Sequence, residues 1–453
     1  MPQRPMPSKR RTWTLLVTLA GILALALWTR RLANTPVDDL GAAPQGWWRM
    51  AAGDIDRRSE EGVRAVTEVE GEDLARQLSL PYAAGVVRAA GRFGVRAWDP
   101  ARTARGVNLY VSGHAAEAVL IAMDGKVLHR WRCPFERAFP GRPAAVDSFF
   151  FRRAALLANG DLVAIYQGGG IVRLAADSKV VWARPGTPFN DLWVSPGEDR
   201  ILFIEKLALT RSDLRGGEPV LEDWIVTLDG GGLERERASL LAAFERSSFR
   251  SLLAPLGETA DILHTNTIAV LSGVAIPDSP FRDGDWLVSL REVDIVAVLA
   301  AGGREVRWAQ RGPFHRQHEP SLLPDGRMLL FDNQGGSAGR SRRSRVVALD
   351  PRVSSIETLW PPPGMTFSSQ QMGTVARLEN GNLLAIESER GAAFEITPAG
   401  DVVWEFRSPH RAGPRGELVA VLADLVRLRV ATPFLERVAK LAPIPPGAGA
   451  QAP

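Results

Sequence analysis

Cysteine is almost absent from this sequence of 453 residues. The single thiol, Cys133, rules out any disulfide within the chain, and so few free thiols are compatible with export without establishing it. Cys133 follows Val127-Leu128 and Trp131, a setting that favours a buried, inert thiol over a nucleophile.

The motifs of several enzyme classes are missing as well. No group of His, Cys, Asp or Glu has the spacing of a zinc site, and no glycine-rich phosphate loop follows a strand. No G-x-S-x-G turn is present to carry a serine nucleophile. We therefore predict no metal site and no cofactor, and protein partners stay unknown.

The positive charge is confined to one end of the chain. The formal net charge is +4, but residues 1–31 contain six basic residues and no acid, which leaves −2 for the remainder. A nucleic-acid-binding domain needs a basic surface of its own, and none is left once this segment is set aside. The charge pattern therefore excludes DNA and RNA as partners.

Only one long apolar run occurs, at residues 12–28 (TWTLLVTLAGILALALW). As a helix it would be roughly 25 Å long, close to the minimum for crossing a bilayer, and Trp13 and Trp28 stand at its ends. More positive charge precedes the run than follows it, which predicts a basic cytoplasmic tail (residues 1–11) and a single-pass anchor in the cytoplasmic membrane. The following domain is then expected to face the periplasm or cell exterior. A cleaved signal peptide is the alternative, but the small-x-small triplet Ala24-Leu25-Ala26 lies inside the run.

A three-part unit recurs from about residue 105 onwards. Each copy has short apolar strands separated by Gly-, Asn- or Asp-bearing turns, and most copies close on tryptophan. A stretch from Pro196 to Gly232 forms a further copy without the final tryptophan. The closing residues are Trp131, Trp182, Trp308, Trp360 and Trp404.

Sheets of about four strands that repeat every 40–50 residues are typical of propellers. We predict an all-β fold, a six-bladed β-propeller over residues 105–430, with the tryptophans packing between adjacent blades. A β-sandwich is the alternative, but sandwiches do not repeat such a unit. Residues 35–104 have helical spacing and predict a short, mostly helical linker or collar, and residues 442–453 predict a disordered tail. The apolar run 417–430 is expected to be a strand that completes the ring.

Two histidines stand where a blade begins its first strand, His264 in DILHTN and His318 in RQHEPSLL. In a propeller this strand lines the central channel, so side chains at its mouth from different blades converge. Imidazoles with the amides of Asn266 and Gln317 suit a compact anion such as a sulfuryl group. Asn333 follows the next strand, and an arginine-rich loop with Arg340 and Arg345 comes directly after it.

These segments, in particular LHTN and QHE…LLFDN, resemble the arylsulfotransferase-like propeller family, over about residues 105–430. The resemblance implies transfer of a sulfuryl group from an aryl sulfate to a phenol without a nucleotide donor, through a sulfohistidine intermediate. By motif, His264 and His318 correspond to two assisting histidines, and Arg340 is the nearest match to an assisting arginine. His264, His318 and Arg340 are thus the predicted catalytic residues, and Asn266, Gln317, Asn333 and Arg345 the predicted substrate-binding residues.

The sequence departs from this family in the last blade. The nucleophilic histidine should lie near LLAIESERGAAFEI, where Ser388, Glu389 and Arg390 stand instead. In an early blade, Phe189-Asn190-Asp191 replaces a pair of histidines. Whether the chain is an enzyme is therefore open. The alternative is a non-catalytic, membrane-anchored propeller that binds a sulfated or acidic ligand or an envelope protein, and a quinone-dependent dehydrogenase is disfavoured because no metal cluster is found.

Overall fold

The computed structural model describes residues 63–65, 84–89, 91, 93–142, 150–254, 256, 259–274, 276, 279–333, 343–413 and 415–440. The predicted anchor at 12–28, the tail at 442–453 and the predicted site residue Arg340 lie outside these ranges. Within them, no helix is long and apolar enough to span a membrane.

Three strands precede the repeats: β1 (Val63–Ala65), β2 (Ala84–Arg88) and β3 (Gly94–Trp98). The first blade contains β4 (Val107–Ser112), β5 (Glu117–Ile121) and β6 (Val127–Arg132), followed by helix α1 (Phe135–Ala138). The second blade contains β7 (Phe151–Leu156), β8 (Leu162–Tyr166), β9 (Gly170–Leu174) and β10 (Val180–Pro185). The third contains β11 (Pro188–Val194), β12 (Arg200–Arg211), β13 (Val220–Asp229) and β14 (Glu234–Ser239), followed by α2 (Leu240–Glu245).

The fourth blade contains β15 (Thr265–Val270), β16 (Trp286–Leu290), β17 (Ile295–Leu299) and β18 (Val306–Arg311). The fifth contains β19 (His318–Leu322), β20 (Met328–Asp332), β21 (Arg345–Asp350) and β22 (Ser355–Trp360). The sixth contains β23 (Thr374–Arg377), β24 (Leu383–Glu387), β25 (Ala392–Ile396) and β26 (Val402–Arg407). The chain ends with β27 (Arg411–Ala412), β28 (Leu418–Ala420), β29 (Leu422–Leu428) and α3 (Pro433–Ala439), and 3₁₀ turns lie at Arg215–Gly217, Arg250–Leu253 and Ser388–Arg390.

These strands form six antiparallel sheets of four or five strands, arranged as a propeller. The innermost strands of consecutive blades contact each other, and the ring closes where β29 meets the second and sixth blades. β29 pairs with β4 and so supplies the inner strand of the first blade. This confirms both the six repeated units and the closing strand predicted within residues 417–430.

Apolar residues of the described chain gather into six clusters, one between each pair of neighbouring blades. Strand alternation sends successive side chains to opposite faces of a sheet, and each blade has a neighbour on both faces. The middle strands are therefore apolar throughout and fully buried, as in LVAIY of β8. The core of this fold lies between the blades and not in the channel.

All five repeat tryptophans lie on the outermost strand that their own blade supplies. Trp182, Trp308 and Trp404 share the third position of that strand, directly after a register shift, whereas Trp131 and Trp360 lie further along. Three of the indoles donate to a carbonyl in a turn of the next blade: Trp131 to Gly160, Trp182 to Gly230 and Trp404 to Met123. The tryptophans thus fasten adjacent blades together.

The described part of residues 35–104 is extended, which corrects the helical linker predicted there. β1 pairs with β12, and β3 pairs with β26 as a fifth strand of the sixth blade. β2 joins β28 and β27 in a small separate sheet. The charged stretch at residues 59–78, from which the helix was predicted, is described only at β1, and the remainder of it lies outside the described residues.

Candidate functional site

Five of the six inner strands carry a register shift near the same end of the channel. A bulge leaves a residue without a ladder partner and re-aims its side chain, and bulges are frequent beside active sites. The residues displaced from the ladder are Arg152, Asn190, Asp191, Asn266, Glu319, Pro320 and Ala423. Of the residues predicted from the sequence, Asn266 lies at one of these irregular positions, and His264, Gln317 and His318 lie within two residues of one.

Backbone strain is concentrated at the same strand starts. Asn190, His264, Arg316 and Glu319 are non-glycine residues with left-handed backbone angles, φ between +48° and +57°. Such conformations cost of order 1–3 kcal/mol each and are found mainly where function fixes a side chain. Three blades therefore have strained backbone at this end of their inner strands, and five other non-glycine residues with positive φ lie elsewhere in the described chain.

His318 is held in one tautomer by its neighbours. Its Nδ1 lies 2.7 Å from Oδ1 of Asn333 and 3.0 Å from the carbonyl of Arg316. The amide nitrogen of Asn333 donates to the carbonyls of Ser369 and Met372, so its oxygen must be the atom that faces the ring. His318 therefore carries its proton on Nδ1, and Nε2 presents a lone pair.

His264 has the same arrangement with a stronger partner. Its Nδ1 lies 2.6 Å from Oδ2 of Asp261, and the other oxygen of that carboxylate accepts from the buried ammonium of Lys206. An ionised carboxylate only accepts hydrogen bonds, so Nδ1 of His264 is the protonated nitrogen and Nε2 is free to act as an acceptor or nucleophile. No partner for this Nε2 is found among the described residues.

Both rings stay neutral over the physiological range. Burial lowers the pKa of His264 to about 4, against the opposing charge of Asp261. Burial likewise lowers the pKa of His318 well below its ordinary value, and the nearby charges of Arg291, Arg152 and His264 lower it further. The site therefore presents two unprotonated imidazole nitrogens from neighbouring blades.

Arg291 supplies the positive charge next to these rings. It is buried, follows β16 directly, and its backbone N–H donates to the carbonyl of His264 at 3.2 Å. Its guanidinium donates to Oε1 of Gln371 at 2.9 Å and pairs with Glu292 at 3.1 Å. The charge of Arg291 lowers the pKa of both histidines, so this side chain is the buried cation nearest to the two rings in electrostatic effect.

The predicted amides join the two blades rather than opening onto the channel. Nδ2 of Asn266 donates to the carbonyl of Gln317 at 2.8 Å, which links β15 to the start of β19. The side-chain nitrogen of Gln317 donates to Ser289 and to the carbonyls of Leu290 and Ile295. His264, Asn266, Gln317, His318 and Asn333 are thus brought together, with the amides as scaffold, and their roles towards a substrate stay predictions.

Arg345 is not part of this group. It begins β21, the third strand of its blade, where it pairs with Asp332 at 2.8 Å and donates to the carbonyl of Pro313. That ion pair engages its guanidinium within the fifth blade. A role for Arg345 in substrate binding has no support from these contacts.

A second charged cluster crosses the channel. Arg153 on β7 pairs with Asp191 on β11 at 2.6 Å and with Asp424 on β29 at 2.8 Å. It also contacts Glu319 on β19, in the fifth blade. Burial raises the pKa of Glu319 to about 7, and burial also raises that of Asp191, in both cases against the stabilising charge of Arg153. One arginine therefore joins four inner strands.

The last blade holds its polar residues in structural contacts. Ser388 is fully buried, and the carboxylate of Glu389 accepts the backbone N–H groups of Gln370 and Gln371 at 2.8 Å each. Neither side chain is placed as an accessible nucleophile. The position expected for the family's nucleophilic histidine thus contributes to packing in this chain.

Sequence reasoning missed Arg291, Asp261 and the Arg153 cluster. Arg291 can be found by aligning the repeats at the end of the second strand of each blade. In four blades the residue that follows this strand is polar or charged, namely Gln167, Arg291, Asn333 or Ser388. Asn333 was singled out from this position and Arg291 was not. Asp261 precedes His264 by three residues, a spacing that points to contact only once the chain is known to turn there.

Comparison with known families supports the resemblance over the second half of the ring. Residues 251–409 match the model of the family described as arylsulfotransferase (ASST). This range spans the fourth to sixth blades and includes His264, Arg291 and His318, but is narrower than the 105–430 expected. No curated protein matches the chain in sequence.

Several solved structures are similar to the chain at low identity. A protein of unknown function from Bacteroides caccae is 13% identical, with coverage of 67% of this chain and 94% of its own and a TM-score of 0.43. A streptogramin B lyase is 10% identical (77% and 97% covered, TM-score 0.40), and the WD40 β-propeller domain of Doa1 is 10% identical (71% and 81%, TM-score 0.35).

Proposed function

We propose, from the arylsulfotransferase match over residues 251–409, that this propeller binds an aryl sulfate and transfers its sulfuryl group to a phenolic acceptor without a nucleotide donor. The observation that carries the proposal is the pair of buried histidines, each fixed with Nδ1 protonated and Nε2 free, beside Arg291. This arrangement offers a cation for the sulfuryl oxygens and two neutral bases. Charge developing on those oxygens is what a buried guanidinium stabilises best.

His264 is the better carrier of the group. Attack by its Nε2 on sulfur forms an S–N bond and breaks the S–O bond to the aryl group, whose oxide takes a proton from solvent. The ring becomes cationic, and the Asp261 carboxylate at 2.6 Å stabilises that charge. The acceptor phenol then attacks sulfur, the S–N bond breaks, and the phenol proton passes to Nε2 of His318.

His318 suits the role of base because it has only neutral partners. Its Nδ1–H is shared between an amide oxygen and a backbone carbonyl, so no carboxylate stabilises a positive charge on this ring. A proton taken up there is released again readily, as a turnover cycle requires. Arg340, the arginine expected from the resemblance, lies outside the described residues, and Arg291 takes the anion-binding role in this proposal.

The test is turnover of aryl sulfates by the full chain. A chromogenic donor such as 4-nitrophenyl sulfate, with phenol as acceptor, reports release of the nitrophenolate, and several other donors extend the range. We expect at least ~100-fold loss for His264→Gln and for His318→Gln, the scale of losing a base or nucleophile. His129→Gln is the matched control, since His129 lies on the outer strand β6 and contacts only a backbone carbonyl and neighbouring rings.

Mass analysis of the quenched reaction separates the routes. A sulfuryl adduct on His264 supports the covalent path, and turnover without an adduct supports direct transfer with histidine as base. An adduct on Ser388 or Glu389 with rapid turnover would contradict the proposal, as would full activity in both histidine variants.

A non-catalytic binding function is favoured by one observation, the structural use of Ser388 and Glu389 where the family places its nucleophile. In that case the same pocket holds a sulfated or acidic ligand without turning it over. Calorimetry with an unreactive sulfonate distinguishes the two: binding that needs Arg291, with no phenol release from any donor, establishes the binding protein.

We also propose that residues 12–28 anchor the chain in the cytoplasmic membrane with the propeller on the outer side. The apolar run, its terminal tryptophans and the charge asymmetry support this. Protease added to intact spheroplasts should digest the propeller, and alkaline washing should leave it in the membrane fraction. A mature N-terminus beyond residue 28 would show a cleaved signal peptide instead.

A further inference from the structure

A compact group of titratable side chains lies where the ring closes, apart from His264 and His318. Tyr110 is on β4, His114 is in the turn that follows, and Glu117 begins β5, all in the first blade. His410 comes from the loop after the sixth blade. The group therefore joins residues almost 300 positions apart at the junction of the first and last blades.

The geometry brings three metal-ligating groups together. One ring nitrogen of each histidine and one carboxylate oxygen of Glu117 lie within 4.8 Å of one another. The two imidazoles are stacked almost parallel, with centroids 3.4 Å apart and an angle of 8°. Ligand atoms this close reach the ~3.4 Å separation of a tetrahedral site once the two rings rotate out of their parallel stack.

Each ring offers one nitrogen to the ion. Nε2 of His114 lies 3.0 Å from Oε2 of Glu117, so these two atoms face each other and a metal ion would replace the proton between them. Nδ1 of His114 points away from that carboxylate, is buried and has no hydrogen-bond partner among the described residues. Nε2 of His410 lies 3.0 Å from the hydroxyl of Tyr110, which leaves Nδ1 of this ring for the ion.

We propose that His114, Glu117 and His410 bind a divalent transition metal ion of the zinc class, which fastens the first blade to the chain segment that follows the sixth. Two imidazoles and a carboxylate are a ligand set that zinc and its neighbours use, with further positions left to water. Tyr110 orients His410 through its other nitrogen, as outer hydrogen bonds usually do for ligating histidines. On binding, the rings rotate out of their stack so that both lone pairs point at the ion.

The charge around the group is compatible with a cation. The carboxylate of Glu117 already faces two positively charged or donor groups, His114 and Arg130, at 3.0 Å each. Arg130 pairs with Glu117 at 3.0 Å and is about half exposed, so it is free to swing away. It is the resident cation that the metal would displace.

The experiment titrates Zn²⁺ into metal-stripped, full-length protein by calorimetry. We expect one saturable site, and a fall in affinity of at least ~100-fold in His114→Gln, Glu117→Gln and His410→Gln, since loss of an outer ligand partner alone costs 10–100-fold. Arg130→Gln should bind zinc roughly several-fold more tightly, because a competing positive charge is removed. His315→Gln is the matched control: His315 also pairs with a carboxylate, Asp294 at 3.0 Å, but has no second histidine in its site.

Co²⁺ gives an independent readout, since intense visible bands at longer wavelength than those of the hydrated ion appear when protein ligands bind it in tetrahedral geometry. We expect these bands in the wild type and in His315→Gln but not in His114→Gln. If His410→Gln does not fold, His114→Gln and Glu117→Gln carry the test. Absence of saturable zinc binding, equal affinity in the ligand variants, or weaker binding in Arg130→Gln would each overturn the proposal. The result does not depend on whether the channel transfers sulfuryl groups.

Discussion

Replacement of Arg153 by methionine tests the cluster that crosses the channel. The side chain keeps its length and apolar stem, but three carboxylates, Asp191, Asp424 and Glu319, lose their shared cation. Arg153 is 10% exposed and Asp191 and Asp424 are 6% and 5% exposed, so water cannot replace the lost contacts. Breaking a buried pair by removing one partner costs about 3–5 kcal/mol. In a domain of this size, that lowers Tm by roughly 5–8 °C.

The pH dependence gives the sign of the effect. Burial raises the folded-state pKa of Glu319 to about 7 and also raises that of Asp191, so both bind protons more readily when folded. Such a carboxyl contributes stability that is fully present below its unfolded pKa and lost as pH rises through its folded pKa. Without Arg153 these pKa values rise further. The deficit of the variant should therefore shrink as pH falls from about 9 to 7, by up to about 1.4 kcal/mol per pH unit, because Glu319 is still ionised in the wild type over this range but already protonated in the variant.

Thermal unfolding followed by circular dichroism at pH 7, 8 and 9 measures both effects. Arg152→Met is the control, because Arg152 is equally buried but donates to a backbone carbonyl, Ala423 O at 3.1 Å. Burial and the charge of Arg153 lower the pKa of Arg152 to about 10, so its removal relieves a repulsion. We expect Arg152→Met to lose less stability than Arg153→Met and to show no recovery of stability at lower pH. An Arg153→Met protein as stable as Arg152→Met, or with a deficit independent of pH, would refute the reasoning.

Three further predictions concern the site and the packing between blades. Asp261→Asn should reduce kcat for aryl sulfates by roughly 10³-fold with little change in KM, because an amide N–H can donate to Nδ1 of His264 and move the ring proton to Nε2. An unchanged kcat would contradict the assigned tautomer. Trp404→Phe should lower the free energy of unfolding by about 1–3 kcal/mol, because the Met123 carbonyl loses its hydrogen-bond donor. Trp360→Phe should lower it less, because the Trp360 indole nitrogen has no hydrogen-bond partner among the described residues. Chemical denaturation of the two variants measures the difference. Gly160→Ala should lower Tm clearly more than Gly364→Ala. Both glycines have left-handed φ, but only at Gly160 would the added methyl lie 2.4 Å from the Phe434 ring. Equal Tm shifts would mean that backbone strain alone determines the loss of stability.

Repetition is the reason why the fold was predictable. The turns and closing tryptophans recur with each blade, and a unit that cannot bury its two faces alone must stack on copies of itself. The match between sequence and structure therefore holds for Trp182, Trp308 and Trp404 down to the strand position. Repetition did not predict β3, because an extra edge strand of this kind has no counterpart in the other repeats.

The sequence predicted those site residues that lie at similar positions in different repeats. It did not predict residues whose contacts are made only when the folded chain brings distant segments together. His264 immediately precedes β15 and His318 begins β19, so a blade alignment finds both histidines near strand starts. Asp261 and Arg153 are defined by their partners, and those partners come from other strands or other blades. His114 and His410 show the same limit: their spacing has no zinc signature, and only ring closure brings them together.

The pairing of β29 with β4 has a consequence for how the protein is made. Until residues 422–428 have been synthesised, β4 has no inner neighbour and the first blade exposes an apolar edge of Val107, Leu109 and Val111. Unpaired edges of this kind recruit strands from other chains. The second to fifth blades can form while the ribosome is still translating the sixth, but the first blade and the ring are completed only when β29 has been made. We therefore expect the nascent chain, and not the finished ring, to be the species that needs a chaperone.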